Sequence, residues 1–277
     1  MLRQRIATAL VLLALLLPAL FVTTPWPFAI LTLLAMAAAG WEWARLNQAG
    51  RYAVPLGVLL GVACALALFA GWTTQAPRLV WWTAMAVWVL GGAWVLRAGV
   101  AGWSRLPRPV RWCIGLLALF TAWLAFANAK AVGLNFILSV FCLVWAADVF
   151  AYFGGRAFGK RKLALAISPG KSWEGVWSGM AGALLVAFVW LAIDARFATG
   201  SASIYSTISA QFGLAVLALV VVFLVAMSVV GDLFESLVKR SAGAKDSSAL
   251  LPGHGGILDR VDALLPVFPI ALALASR

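Results

Sequence analysis

Between Gly231 and Asp262 the chain reads GDLFESLVKRSAGAKDSSALLPGHGGILDRVD, a stretch that holds most of its acidic side chains and its only histidine, His254. Asp232, Glu235, Ser236, Lys239 and Arg240 recur at spacings of three and four, so they share one face of a helix. That face can hold a cation through its acids and a phosphate through its bases. Asp246, Asp259 and Asp262 come from the segment beyond, joined by Lys245 and Arg260, and PGHGG is a tight turn rather than a helix. Carboxylates alternating with Lys, Arg and glycine turns suit a Mg²⁺–phosphate site, because Mg²⁺ takes hard oxygen ligands and leaves room for substrate phosphates. Zinc does not suit it, for want of a second histidine or a paired cysteine. Two readings of His254 stay open, a part in the chemistry and a part in shaping the turn. A merely solvated charged face is the poorer account, since a plain surface loop has no need of GHGG.

A second stretch, WAADVFAYFGGRAFGKRKLALAISPGKSWEG, begins with Asp148 about one turn inside an apolar run. Tyr152 and Arg156 follow at i+4 and i+8 on roughly the same face. A carboxylate at that depth is paired or functional. One reading gives Asp148 a salt bridge to Arg156; the other gives it a ligand, with Gly154, Gly155 and Gly159 allowing close approach and Arg156, Lys160, Arg161 and Lys162 supplying positive charge. In SPGKSWEG, Ser168 before Pro169 and Ser172 before Glu174 both read as helix starts, and Lys171 shares that turn. An anion bound at the helix N-terminus and an ordinary capped helix are both open. Gly175, Gly179 and Gly182 read as small residues for close helix packing.

The elements that position these groups must lie in lipid. The chain is 64% hydrophobic and 11% charged, with a mean hydropathy of +1.01, whereas a water-facing surface needs about a quarter of its residues charged. Apolar runs predict spans near 6–22, 28–44, 53–70, 79–96, 110–127, 131–153, 174–193, 211–230 and 261–275. The fold expected is an all-α polytopic membrane protein of about nine transmembrane helices. Its opening, MLRQRIATALVLLALLL, is signal-like but lacks a small-x-small cleavage site, so an uncleaved first helix is expected. With the N-terminus inside, one side of the membrane receives Arg3, Arg5, Arg45, Arg51, Arg97, Arg105, Arg108, Arg111, Arg156, Lys160, Arg161, Lys162, Lys171, Lys239, Arg240, Lys245 and Arg260. Only Arg78, Lys130, Arg196 and Arg277 remain opposite. This asymmetry places the N-terminus and the charged loops, 154–173 and 231–260, in the cytoplasm. The formal net charge of +12 then faces anionic lipid, and no nucleic acid is called for.

Residues 1–130 are expected to form a five-span scaffold and residues 131–277 a four-span catalytic part. The scaffold's single acid, Glu42 in WEWARL, shows no pattern that points to chemistry. Trp26, Trp41, Trp43, Trp72, Trp103 and Trp112, near predicted span ends, read as interfacial anchors. Cys64, Cys113 and Cys142 read as small buried hydrophobes. The absence of an internal repeat weighs against a transporter of lipid or anions.

The two charged stretches together are similar to the signature blocks of the phosphatidate cytidylyltransferases, or CDP-diacylglycerol synthases, in which Ser, Lys-Arg, Lys-Asp, Pro-Gly-His-Gly-Gly and Asp-Arg-x-Asp recur in this order. MLRQRIATA and WEWARL resemble that family's N-terminal region. The resemblance implies transfer of the cytidylyl group of CTP to phosphatidate, giving CDP-diacylglycerol and pyrophosphate, in the cell's inner membrane with the site facing the cytoplasm. It implies Mg²⁺ held by Asp232 and Asp259, with a second cation beside it left open. It implies catalytic roles for Lys239, Arg240, Asp246, His254, Arg260 and Asp262. Substrate contacts would come from Asp148, Arg156, Lys160, Ser168, Lys171, Ser172, Glu174, Ser236 and Lys245. It also implies a homodimer. The chain departs from the family at Val149, Ser172 and Ala263, none of which removes a charge or a ligand. A CTP-dependent lipid kinase, releasing CDP, is the alternative enzyme.

Overall fold

In lipid every backbone N–H and C=O must find its partner within the chain, so uninterrupted apolar runs become helices. The computed structural model describes residues 2–197 and 199–276, except for the side chains of Leu2, Arg3 and Arg5. Arg3, Arg5 and Arg277, which contribute to the charge asymmetry, therefore fall outside what is described.

The helices run in chain order as α1 (Leu2–Phe21), α2 (Trp26–Leu46), α3 (Ala53–Phe69), α4 (Trp72–Gln75), α5 (Arg78–Ala86), α6 (Gly92–Arg105), α7 (Arg108–Val132) and α8 (Leu134–Phe158). A two-stranded antiparallel hairpin follows, β1 (Lys162–Ala164) and β2 (Ser168–Ser172). The chain ends with α9 (Trp173–Arg196), α10 (Ile204–Ser241), α11 (Leu258–Val261) and α12 (Leu264–Ala275). Among the described residues seven helices are long and apolar enough to cross a membrane: Trp26–Leu46, Gly50–Phe69, Arg78–Arg105, Arg108–Val132, Leu134–Phe158, Trp173–Arg196 and Ile204–Ser241. The apolar part of α1, Ile6–Phe21, is shorter. The expected last span is α12, whose 12 residues extend about 18 Å, well under the roughly 30 Å of hydrocarbon. Leu264 to Ala273 are all buried, with α5, α7, α8 and α10 packed around them.

Two polar stretches expected as loops are helical in part. Gly154–Phe158 completes α8, and Gly231–Ser241 completes α10, so the irregular segments shrink to residues around the hairpin and to 242–257. Beyond a left-handed break at Gly213 (φ 83°), α10 runs for about 40 Å, longer than the hydrocarbon is thick. Its last turns can thus carry charge past the apolar region. The glycines of α9 perform as expected: a Cβ at Gly175 would come 2.9 Å from the Ala151 carbonyl oxygen, and one at Gly179 would come 2.8 Å from that of Ala147. Only glycine lets α8 and α9 approach so closely.

The interfacial reading fails for Trp43 and Trp103, each 1% exposed. Both lie in the core, where each indole N–H has an acceptor: Trp43 donates to the Arg111 carbonyl at 2.9 Å and Trp103 to Asn47 Oδ1 at 3.0 Å. A buried indole needs such a partner, and Asn47, wholly buried, supplies one. The two rings and Trp88 surround Phe234 of α10, with ring centroids 5.4 to 5.6 Å away.

Candidate active site

The face of α10 predicted from its three- and four-residue spacing forms as expected. Glu235, 1% exposed, places Oε2 2.5 Å from the Lys239 ammonium one turn on. Lys239 also reaches Asp259 Oδ1 at 2.6 Å. One turn back, Asp232 accepts from Ser236 Oγ at 3.3 Å and pairs with Lys171 at 2.5 Å. Two ammonium groups thus alternate with three carboxylates. Asp262 joins them from the turn after α11: its backbone carbonyl packs against Gly231, where any Cβ would overlap it.

Lys171 arrives on the hairpin, and Ser172 ends that hairpin by capping α9, accepting from Gly175 N at 3.2 Å. Ser168 does not start a helix. It opens β2 instead, because Pro169 and Gly170 continue extended and the single cap required is provided by Ser172. The hairpin, α8, α9 and α10 enclose a cavity of about 480 Å³ lined by Asp148, Arg156, Ser168, Lys171 and Asp232, and by Ala147, Val176, Val225 and Val229. Asp148 makes no salt bridge to Arg156. The Arg156 guanidinium faces Tyr152 Oη at 3.4 Å, and Asp148 lines the cavity together with Asp232 and Lys171.

The glycine turn also forms as expected, with His254 N donating to the Leu251 carbonyl and Leu251 paired to Gly255. Gly253 (φ 77°) and Gly255 (φ 81°) take the left-handed backbone that favours glycine. Arg260 donates to the His254 carbonyl at 2.6 Å. A second cavity, about 520 Å³, is lined by Lys245, Asp246, Ser248, His254 and Arg260. Asp259 Oδ2 accepts from Gly256 N at 2.7 Å and from Ser247 N and Oγ, both at 2.9 Å. Burial alone would raise the Asp259 carboxyl, but the Lys239 ammonium and these amides outweigh it and hold the group well below the usual carboxylate range.

Several of the expected catalytic and substrate-binding residues make contacts that hold the hairpin and loop in place. The Lys160 and Arg161 amides and the Arg161 side chain all donate to Glu174, tying the hairpin to α9. Lys160 is exposed and lines neither cavity. Arg240 donates to the Ile167 and Ala244 carbonyls, joining hairpin and loop. The residue overlooked is Glu42. Wholly buried, its carboxylate accepts from Ser247 Oγ, Ser248 Oγ, Ile257 N and Leu258 N. A carboxylate inside an apolar run demands such partners, and that demand was the available signal.

Among the described residues no three His, Cys, Asp or Glu side chains converge on one ion-sized position. The donor set still suits Mg²⁺, which is commonly held by one or two carboxylates together with substrate phosphates. Neither oxygen of buried Glu235 has a well-directed hydrogen bond.

The arrangement, paired carboxylates and ammonium groups beside one partly apolar and one polar cavity, suits a reaction between phosphates. The phosphatidate cytidylyltransferase of Pseudomonas aeruginosa is 42% identical across 99% of this chain and 97% of its own length. That of Haemophilus influenzae is 40% identical across 97% and 96%. A chloroplastic phosphatidate cytidylyltransferase of Arabidopsis thaliana is 44% identical over 51% of this chain and 31% of its own length. A family profile described as the cytidylyltransferase family matches residues 3–276, and with likeness over that extent the chain belongs to the cytidylyltransferase family.

Proposed function

We propose that this chain transfers the cytidylyl group of CTP to phosphatidate, giving CDP-diacylglycerol and pyrophosphate. The observation that carries the reading is the cavity headed by Lys171 and Asp232. From Asp232 it follows α10 back through Ser228 and Val229 to Val225, two turns into the span. A charged head and an apolar wall in one cavity match a phosphate bearing acyl chains. The second cavity, with Lys245, His254 and Arg260 in its wall, lies between the loop after α10 and the short α11 and matches a water-borne nucleotide triphosphate.

A phosphatidate oxygen attacks the α-phosphorus of CTP in line; that P–O bond forms as the bond from the α-phosphorus to the bridging oxygen breaks, and pyrophosphate leaves. The attacking phosphate is already ionised near neutral pH, so no strong general base is required. That assigns His254 to holding the turn and contacting phosphate. Lys171 holds the lipid phosphate, while Lys239, Lys245 and Arg260 stabilise the charge that develops on the leaving group. Asp232 and Asp259 would hold Mg²⁺, which supplies charge neutralisation when bound.

The membrane placement belonging to this reaction has about nine membrane-embedded segments, the N-terminus and charged loops on the cytoplasmic side, and the inner membrane as host; the distribution of Lys and Arg supports it. The family resemblance extends the proposal to a homodimer.

Full-length protein in vesicles containing phosphatidate, supplied with Mg²⁺ and CTP labelled at the α- or the γ-phosphate, tests the reading. α-Label in the lipid with release of pyrophosphate is expected. γ-Label in the lipid with release of CDP would establish a kinase instead.

A further inference from the structure

Glu42 lies more than 200 positions before the loop it holds, on a helix that contributes to neither cavity. It is 0% exposed. Its Oε1 accepts from Ser248 Oγ at 2.5 Å and Ile257 N at 3.0 Å, and its Oε2 from Leu258 N at 2.7 Å and Ser247 Oγ at 3.2 Å. Among the described residues no lysine or arginine lies within ion-pair distance of it. Among the described residues the buried carboxylate is therefore held by hydroxyl and amide donors alone, with Ser247 sharing its single hydroxyl proton between Glu42 and Asp259, and each contact is a charge-assisted hydrogen bond. One turn on, Arg45 donates to the Ser247 carbonyl at 2.7 Å, so α2 grips the loop twice.

The groups that Glu42 holds adjoin the groups assigned to the reaction. Ser247 follows Asp246, and its hydroxyl lies between Glu42 Oε2 and Asp259 Oδ2. Leu258 precedes Asp259, and Ser248 lines the polar cavity beside His254 and Arg260. Gly256, whose amide donates to Asp259, packs so tightly on Glu42 that a Cβ would overlap its carboxylate. A segment containing Gly253, Gly255 and Gly256 has little stiffness of its own. Its register against α10 is set from outside, by the carboxylate of α2 at Ser247, Ser248, Ile257 and Leu258 and by Lys239 at Asp259.

We propose that Glu42 is a positioning residue for cytidylyl transfer: bound to Ser247, Ser248 and the amides of Ile257 and Leu258, it fixes the loop that presents Asp246, His254 and Asp259 to the nucleotide. The inference rests on the reaction proposed above. An amide at position 42 keeps the shape but turns one acceptor into a donor that faces other donors. Second-layer changes of this kind cost roughly 10- to 100-fold in activity.

The test compares full-length wild type with Glu42→Gln, both in vesicles with Mg²⁺, CTP and phosphatidate, with rates taken per folded molecule as judged by size-exclusion and thermal unfolding. The expected result is a kcat lower by about 10- to 100-fold, a raised KM for CTP and an unaltered KM for phosphatidate. A variant with a lower unfolding temperature but with kcat and both KM values within about twofold of wild type overturns the proposal, since a purely structural contact moves only the folded fraction. If Glu42→Gln does not accumulate as folded protein, Ser248→Ala, which removes one donor, is judged by the same two outcomes. Wild-type protein that makes no CDP-diacylglycerol would sink the reaction itself, a result distinct from either.

Discussion

The ammonium of Lys239 stands 2.6 Å from Oδ1 of Asp259, while the other oxygen of that carboxylate is held by the Gly256 amide and by Ser247. The lysine side chain is 12% exposed and the aspartate 6%, so neither charge has water to replace the other. Asp259→Asn keeps the shape and removes the charge that opposes Lys239. CDP-diacylglycerol synthesis is expected to fall by about 100-fold or more, in line with loss of a group that acts on charge developing in the transition state. Lys239→Met strands Glu235 and Asp259 together and is expected to cost about 3 kcal/mol of stability. Residual rate and thermal unfolding in detergent measure the two effects.

The same relationship sets a direction in pH. Asp259 titrates well below an ordinary carboxylate, so its contribution is fully present above the unfolded-chain value of about 3.9 and is lost as pH falls through its folded value. Unfolding temperature should be insensitive to this group from pH 8 to 5 and decline at lower pH. Asp259→Asn should show a shallower acid decline than wild type. Parallel acid slopes for the two proteins would contradict the assignment.

Lys171 and Asp232 meet at 2.5 Å in the wall of the partly apolar cavity. If that cavity takes the lipid head, Lys171→Met should raise the KM for phosphatidate by about 10-fold or more, the worth of a charge-assisted contact, and should leave the KM for CTP near its wild-type value. Steady-state rates with each substrate varied in turn decide it; the reverse pattern would exchange the two cavities.

What the sequence made legible follows from periodicity. Asp232, Glu235, Ser236 and Lys239 were readable as one face because i, i+3, i+4 spacing has a single helical meaning, and PGHGG was readable because only a turn uses so many glycines. Ser168 misled because a hydroxyl before proline fits a helix cap and a strand equally well, and the hairpin is decided by pairing with Lys162–Ala164 across the turn. Trp43 and Trp103 misled because their proximity to span ends says nothing of their acceptors, which are Asn47 and a carbonyl of α7. Glu42 was hidden for the same reason: its four donors lie near the far end of the chain, and long-range partners leave no local pattern.

Gly256 offers a steric check on that contact. An alanine there would drive its methyl into Ser247 Oγ and the Glu42 carboxylate, both immobilised in the core. Gly256→Ala is expected to destabilise by roughly 1–3 kcal/mol, as overpacking does, and to lose most of its activity. Gly91→Ala, where the added methyl would meet only Val87 at 4.0 Å, is expected to behave as wild type in both unfolding and rate.

Phe234 couples the helix carrying Asp232 and Glu235 to the scaffold. It sits between those acids in sequence and on the opposite side of α10, 4% exposed, with Trp43, Trp88 and Trp103 around it. Trp43 comes from α2 and Trp88 and Trp103 from the span Arg78–Arg105, so this one side chain aligns two spans with the site helix. Phe234→Ala would leave a cavity among rigid indoles, which cannot collapse into it, and is expected to cost about 3–5 kcal/mol. Phe234→Leu, which refills most of the volume, should recover much of that loss. Because Trp43 lies next to Glu42 on α2, the alanine variant should also raise the KM for CTP at temperatures where it remains folded. Unfolding and kinetics measured on the same preparations test both effects, and a variant that loses stability with an unaltered KM would show that the rings support the helix without transmitting its position to the loop.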